Sequence, residues 1–172
     1  MKTLIILTAL IGSMFTSFAQ TAIDASKTQK IKQGTAELTA YEGKPYTGAV
    51  TEGYADGKPK SWKSIKDGIT EGLWQEWHPN GKLKYNAYWK DGKGHGLWQY
   101  FHENGLLKYE ESYLMDIPTG ISRAYYENGQ LKDDNFFLAG KKHGAWSSFS
   151  ETGVLLKMEL WEDGKVVTPI KN

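Results

Sequence analysis

Residues 72–95 read GLWQEWHPNGKLKYNAYWKDGKGH: a glycine, a short aromatic run, Pro79-Asn80-Gly81, a second aromatic run, then Asp91-Gly92. The stretch is one unit of a repeat. Leading glycines stand at Gly48, Gly72, Gly96, Gly120 and Gly144, 24 positions apart with no insertion. A second glycine follows nine residues later in each copy, at Gly57, Gly81, Gly105, Gly129 and Gly153. Leu83, Leu107, Leu131 and Leu155 share a column. Lys60, Lys84, Lys108 and Lys132 share the next, which Leu156 breaks. One aromatic column holds Trp77, Phe101, Tyr125 and Phe149; another holds Ile65, Trp89, Tyr113, Phe137 and Trp161. Several columns in phase at a fixed period define a repeat architecture.

Each unit reads as a hairpin followed by a tight turn, because Asn-Gly and Asp-Gly separate runs rich in Trp, Tyr and Leu. Glycine recurs too often for helix. A three-residue loop, Pro79-Asn80-Gly81, is a type I turn closed by a left-handed glycine. It sets Trp77 opposite Leu83, and likewise Phe101/Leu107, Tyr125/Leu131 and Phe149/Leu155. Strict alternation then predicts one core face of Leu73, Gln75, Trp77, Leu83, Tyr85, Ala87 and Trp89. The opposite face is mostly polar but carries an aromatic stripe. Trp74, Trp98 and Trp146 form one of its columns. Tyr88, Phe136 and Leu160 form the other, expected across from the leading glycines. Ser122 interrupts the first column, and Ser64 and Ser112 the second. The fold class is all-β: an elongated single sheet of consecutive antiparallel β-hairpins, with about 11 strands and a length of about 50 Å.

Length and composition bound the rest. The 172 residues suffice for one ordinary domain. Absence of cysteine excludes disulfides, thiolate metal sites and cysteine nucleophiles. Lys and Arg number 21 against 20 Asp and Glu, with no basic stripe, so no nucleic-acid partner is expected. Residues 1–19, MKTLIILTALIGSMFTSFA, combine Lys2, an apolar core from Leu4 to Ile11, and Ser17-Phe18-Ala19. This pattern predicts a signal peptide cleaved before Gln20. The apolar run is too short to span a bilayer. The expectation is export to the periplasm or beyond, with no integral membrane span in the mature chain. Residues 20–40 form a lead-in, and polar Thr21 to Gly34 reads as a tether. Thr35 to Tyr41 matches the second half of a unit. The array occupies 41–172, with units 48–71, 72–95, 96–119, 120–143 and 144–167. Val166 to Pro169 reads as a C-terminal cap, with Pro169 discouraging edge pairing.

Gly72-Leu73-Trp74, Asn80-Gly81-Lys82-Leu83-Lys84, Trp89, Asp91-Gly92-Lys93 and Gly96 together resemble the bacterial MORN-repeat variant. The resemblance covers roughly residues 41–165. It departs from the pattern in the first unit, with Val50 for Trp and Gly53 for the aromatic residue. It departs again at Met115-Asp116, which replaces Asp-Gly, and at Ser122. The resemblance implies an elongated sheet of consecutive hairpins. In function it implies scaffolding, contact with membrane lipid or, as many members are filed, the antitoxin of a toxin–antitoxin pair.

The residues point away from catalysis. His78 and His102 share a column, as do His95 and His143. Equivalent strands in successive hairpins lie roughly 10 Å apart, whereas zinc holds each nitrogen near ~2 Å. No metal site is expected. Glu76, Glu110, Glu111, Asp133 and Asp134 share no column that predicts a common apolar pocket. There is no Gly-x-Ser-x-Gly elbow. Gly92-Lys93-Gly94-His95-Gly96 leads into a strand, and a phosphate cradle needs a helix. Hence no catalytic residue and no cofactor are expected. The candidate binding surface is Trp74, Trp98, Trp146, Tyr88 and Phe136, because Trp and Tyr are enriched at interface hot spots. The expected partner is a protein, with a glycan or membrane surface as the alternative. The competing reading is structural: these rings pack on one another and hold a single-layer sheet together.

Overall fold

The computed structural model describes residues 22–167. The leader, and Thr168-Pro169 of the expected cap, lie outside the described residues. The chain opens with β1 (Ile23–Asp24), one turn of 3-10 helix (Ala25–Lys27), β2 (Thr28–Gln33), β3 (Ala36–Tyr41) and β4 (Lys44–Pro45). Five hairpins follow: β5 (Gly48–Gly53) with β6 (Pro59–Lys66), β7 (Ile69–Trp77) with β8 (Leu83–Lys90), β9 (Lys93–Phe101) with β10 (Leu107–Leu114), and β11 (Ile117–Tyr125) with β12 (Leu131–Leu138). In the fifth, β13 (Lys141–Lys142) and β14 (Gly144–Phe149) share the first arm, β15 (Leu155–Glu162) is the second, and β16 (Lys165–Val166) turns back on it. β1 and β5 to β16 make one 13-stranded sheet in chain order, antiparallel except where β1 meets β5.

The three-residue loops form as the sequence predicts. Gly81 N–H donates to the His78 carbonyl, and His78 N–H to the Lys82 carbonyl, both at 2.8 Å. The same two bonds close the other four loops, each with its glycine at positive φ. Between hairpins, Asp67-Gly68, Asp91-Gly92, Met115-Asp116, Ala139-Gly140 and Asp163-Gly164 all have positive φ at both residues. That is the type I′ geometry whose twist matches that of the strands it joins.

Beyond each loop the register departs from strict alternation. Trp77 pairs with Leu83, but Glu76 pairs with Tyr85, so Lys84 is an extra residue on its strand. All five hairpins carry this bulge, and its residues are Lys60, Lys84, Lys108, Lys132 and Leu156. One extra residue flips everything after it to the other face. The predicted core face is therefore corrected. Leu73, Gln75, Trp77 and Leu83 share one side, the far face. Tyr85, Ala87 and Trp89 share the other with Trp74, here called the indole face.

The leading glycines have a cause besides the one expected. Where one hairpin meets the next, Asn86 pairs with Gln99 but Tyr88 pairs with His95, which leaves two additional residues on β9. Gly96 absorbs that offset at φ 73, and Gly72 does the same at φ 89. Only glycine reaches this region without steric cost. Within the hairpin Gly72 pairs with Trp89 and Gly96 with Tyr113. Across the seam to the preceding hairpin, a Cβ on Gly72, Gly96 or Gly120 would meet Ser64, Tyr88 or Ser112, the column expected there.

The N-terminal segment is not a bare tether. Thr28–Gln33 pairs along its length with β3, and β4 completes a separate three-stranded sheet. The expected half unit thus lies outside the main ladder. It docks on the first inter-hairpin turn, where Thr39 N–H donates to the Gly68 carbonyl at 2.8 Å and Gly68 N–H to the Tyr46 carbonyl at 2.7 Å. A Cβ on Gly68 would stand 2.7 Å from Leu38 Cβ, so glycine permits the close approach. Leu38, Ala40 and Tyr46 are buried at this end, and Ile65, Tyr85 and Ala87 along the array. Among the described residues no large side chain is completely buried. A single-layer sheet has no second layer to cover it.

Candidate binding surface

The bulge decides what each candidate residue touches. Trp74 packs edge-on against Tyr85 at 5.8 Å and lies 5.6 Å from Trp89. Trp98 stacks at 4.8 Å from Trp89 and 4.7 Å from Tyr113. Trp146 meets Phe137 at 5.1 Å and Trp161 at 6.1 Å. Two of the indoles are also tied to the backbone. Trp98 Nε1 donates to the Tyr88 carbonyl at 3.0 Å, and Trp146 Nε1 to the Phe136 carbonyl at 3.1 Å. A Cβ on Gly94 would stand 2.5 Å from the Trp98 ring, so Gly94 leaves the floor on which that indole lies. Lysines cover the remaining ring faces: Lys63 Nζ sits 3.5 Å over Trp74, and Lys142 Nζ 4.1 Å over Trp146.

The indole face continues into a run of phenols. Tyr85, Tyr100 and Tyr109 follow one another at 4.8 and 6.1 Å. Tyr109 hydroxyl meets Ser122 Oγ at 3.1 Å, and Tyr113 hydroxyl donates to the buried Glu111 carboxylate. Burial pushes the Tyr109 phenol up to about 12. Burial also raises Tyr85 and Tyr113, the latter with further help from Glu111 beside it.

Tyr88 and Phe136 stand on the far face, opposite Leu73 and Ile121. They are 47% and 39% exposed. The five candidates therefore do not form one surface: three indoles lie in the packed face and two rings project from the other. Leu97, Leu114, Ile117, Leu138 and Leu160 are exposed with them. The register puts all of these on the far face near the inter-hairpin turns. Lys66, Lys90, Lys93 and Lys141 share that row. A polar row runs alongside. Gln75 Nε2 donates to Asn86 Oδ1 at 3.2 Å, and Arg123 Nε to Asp134 Oδ1 at 2.7 Å. Tyr125 hydroxyl donates to the buried Glu110 at 3.0 Å.

A second ladder, absent from the expected site, runs along the hairpin loops. Tyr54 hydroxyl donates to the Trp77 carbonyl at 2.6 Å, and Tyr126 hydroxyl to the Phe149 carbonyl at 2.8 Å. Between them His78 Nε2 donates to the Phe101 carbonyl, and His102 Nε2 to the Tyr125 carbonyl, each at 3.0 Å. A carbonyl only accepts, so each Nε2 carries a proton. Asn80, Asn104 and Asn128 bridge in parallel to the carbonyls of Glu103, Glu127 and Glu151, at 2.8, 2.6 and 3.1 Å. Every bridge joins residues 23 apart, one column short of a full period. The shared column of His78 and His102 was the available signal. Among the described residues no three His, Asp or Glu side chains converge as metal ligands. No helix there is long and apolar enough to cross a membrane.

Consecutive hairpins stitched by identical loop bonds and one-period side-chain bridges define a β-hairpin repeat protein. Segments 70–91, 94–114 and 118–137 match the MORN repeat variant, so the chain carries three such repeats. The first and fifth hairpins lie outside those segments but repeat the same loop geometry. No curated protein sequence matches the chain. MORN repeats are protein- and membrane-binding modules, and theirs is a family of repeat scaffolds, not a known enzyme family.

Proposed function

We propose that this chain is an exported, non-enzymatic scaffold that binds a partner protein through the far face. The observation carrying the reading is the row of exposed apolar side chains there, Leu114, Ile117 and Tyr88 the most exposed and Phe136 among them. Contiguous exposed apolar patches on soluble proteins mark interaction sites. The indole columns are already occupied by neighbouring rings and lysines. Export rests on the leader-like residues 1–19, and the signal peptide, the periplasmic or extracellular destination and an antitoxin-like role belong to this proposal. A second reading, contact with an anionic membrane surface, draws on the lysines that share the Tyr88 row, since basic residues flanking apolar ones suit a lipid interface.

The test is a pull-down from the envelope fraction of the source organism, comparing wild type with Tyr88→Ser/Phe136→Ser. Serine occupies the same column at Ser64 and Ser112, so the fold accommodates it. Retention of one protein by wild type and its loss in the variant is the expected result. Recovery of lipid vesicles or soluble glycan instead would move the assignment to the alternative. Equal retention by both proteins would remove the far face from the binding account.

A further inference from the structure

On the indole face the bulge lysines have carboxylate partners in the first two hairpins and none in the next two. Lys60 Nζ lies 2.7 Å from Glu52, and Lys84 Nζ 3.0 Å from Glu76. The register sets Glu52 and Glu76 in one row with Tyr85, Tyr100, Tyr109 and Ala124. Glu52, Glu76, Tyr100 and Ala124 are equivalent positions, 24 residues apart. Tyr100 packs into the run of phenols, and Ala124 ends at its Cβ. Among the described residues neither Lys108 nor Lys132 takes part in an ion pair. They flank Ala124 from β10 and β12, one strand away on either side. A cavity of about 640 Å³ opens over Ala124, lined by both lysines, Tyr109 and Tyr126. The corresponding hollow in the first hairpin, over Glu52 with Tyr54 and Lys60, holds about 220 Å³. Small-molecule sites run to about 300–1,000 Å³, so only the cavity over Ala124 has that size. Tyr126 is fixed there by its bond to the Phe149 carbonyl, and Lys132 Nζ stands 5.6 Å from its ring centroid. Glu127 and Glu151 line the loop side.

We infer that this cavity binds an acidic sugar, whose carboxylate takes the position that Glu52 holds in the first hairpin. The repeat itself shows what a bulge lysine accepts there: Glu52 and Glu76 are carboxylates. Lys108 and Lys132 reach the cavity from both sides, and an ammonium donating to a carboxylate makes a strong, short bond. The Tyr126 ring offers a flat apolar surface with a negative face, which suits the C–H side of a pyranose. Sugar hydroxyls both donate and accept. The lining supplies both kinds of partner, lysine donors and the Glu127 and Glu151 acceptors. The same two glutamates oppose a polyanion such as an acidic peptide. A neutral sugar would leave both lysines without a counter-charge. The cavity lies on the face opposite Tyr88 and Phe136, so it stands or falls independently of the far-face reading.

The full chain is expressed with its own leader, purified and titrated with galacturonate, galactose, acetate and hexaglutamate by saturation-transfer NMR. Wild type is expected to bind galacturonate with a Kd of about 1 mM, as suits a ligand of this size. Galactose and acetate are expected to bind at least about tenfold more weakly. Ala124→Glu restores the carboxylate of the first two hairpins. It is expected to weaken galacturonate binding at least about tenfold and to melt no lower than wild type, because Lys132 gains a partner. Lys132→Gln alters only an exposed side chain. It is expected to weaken galacturonate binding at least about fivefold, which keeps the test decisive if Ala124→Glu fails to fold. Galacturonate that does not bind at about 20 mM would overturn the inference. So would equal affinity for acetate or galactose, tighter binding of hexaglutamate, or an affinity unchanged in the folded variants.

Discussion

Individual residues carry the register. Met115 and Asp116 form the one inter-hairpin turn without glycine, at φ 52 and φ 70. Asp116 earns its place because Gly94 N–H donates to its carboxylate at 2.6 Å. Nothing in the structure explains Met115. A non-glycine residue held at positive φ is strained, and Asn tolerates that region better. Met115→Asn is expected to stabilise by about 0.5–1 kcal/mol, read from the urea midpoint. The buried phenols set the response to alkali. Each favours the protonated, folded chain, and the unfolded phenol titrates near ~10. That stabilisation is complete below pH ~10. It is lost as pH climbs toward the Tyr109 value of about 12, because the unfolded chain releases its protons first. Urea midpoints are expected to fall above pH ~10, and less steeply in Tyr109→Phe.

At the scale of the hairpin, the loop was legible and the strand beyond it was not. Pro79-Asn80-Gly81 names its own turn, because only glycine suits the left-handed closing position. The bulge at Lys84 has no comparable signature. Alternation by two holds on either side of it, and lysine is indifferent to which face it leaves. Trp77 opposite Leu83 is equally consistent with Gly72 opposite Tyr88, which needs no bulge; only the observed pairing of Gly72 with Trp89 reveals the extra residue. The polar N-terminal strand was equally opaque, since Lys30 and Lys32 show no apolar rhythm and their strand pairs with β3 in a sheet apart from the repeat ladder. The loop ladder gives its own expectation. Asn104 Oδ1 accepts from Leu106 N–H at 2.9 Å within its loop, while its Nδ2 bridges to Glu127. Asn104→Asp keeps the first bond and loses the second donor, and is expected to cost about 1 kcal/mol. His102→Ala removes the neighbouring bridge at a similar cost of about 1 kcal/mol. Thermal unfolding of the two single variants and the double variant would show whether the bridges add.

The whole molecule is a ladder with unlike sides. One face holds the array together: Trp74, Tyr85, Trp89, Trp98 and Tyr113 form a continuous stack across two hairpins. Aromatic pairs of this kind are worth about 0.5–1.5 kcal/mol each beyond their buried area. In a repeat array such terms sum between neighbours. The other face leaves Tyr88 and Phe136 exposed. The columns themselves were legible in the sequence; which side each column faced was not, and that side separates a packed ring from an exposed one. The most direct measurement is urea denaturation of Trp98→Ala beside Tyr88→Ser. Trp98→Ala is expected to lose about 3–5 kcal/mol, and Tyr88→Ser to stay within about 0.5 kcal/mol of wild type. A stable Trp98→Ala paired with a strongly destabilised Tyr88→Ser would contradict the assignment of the two faces.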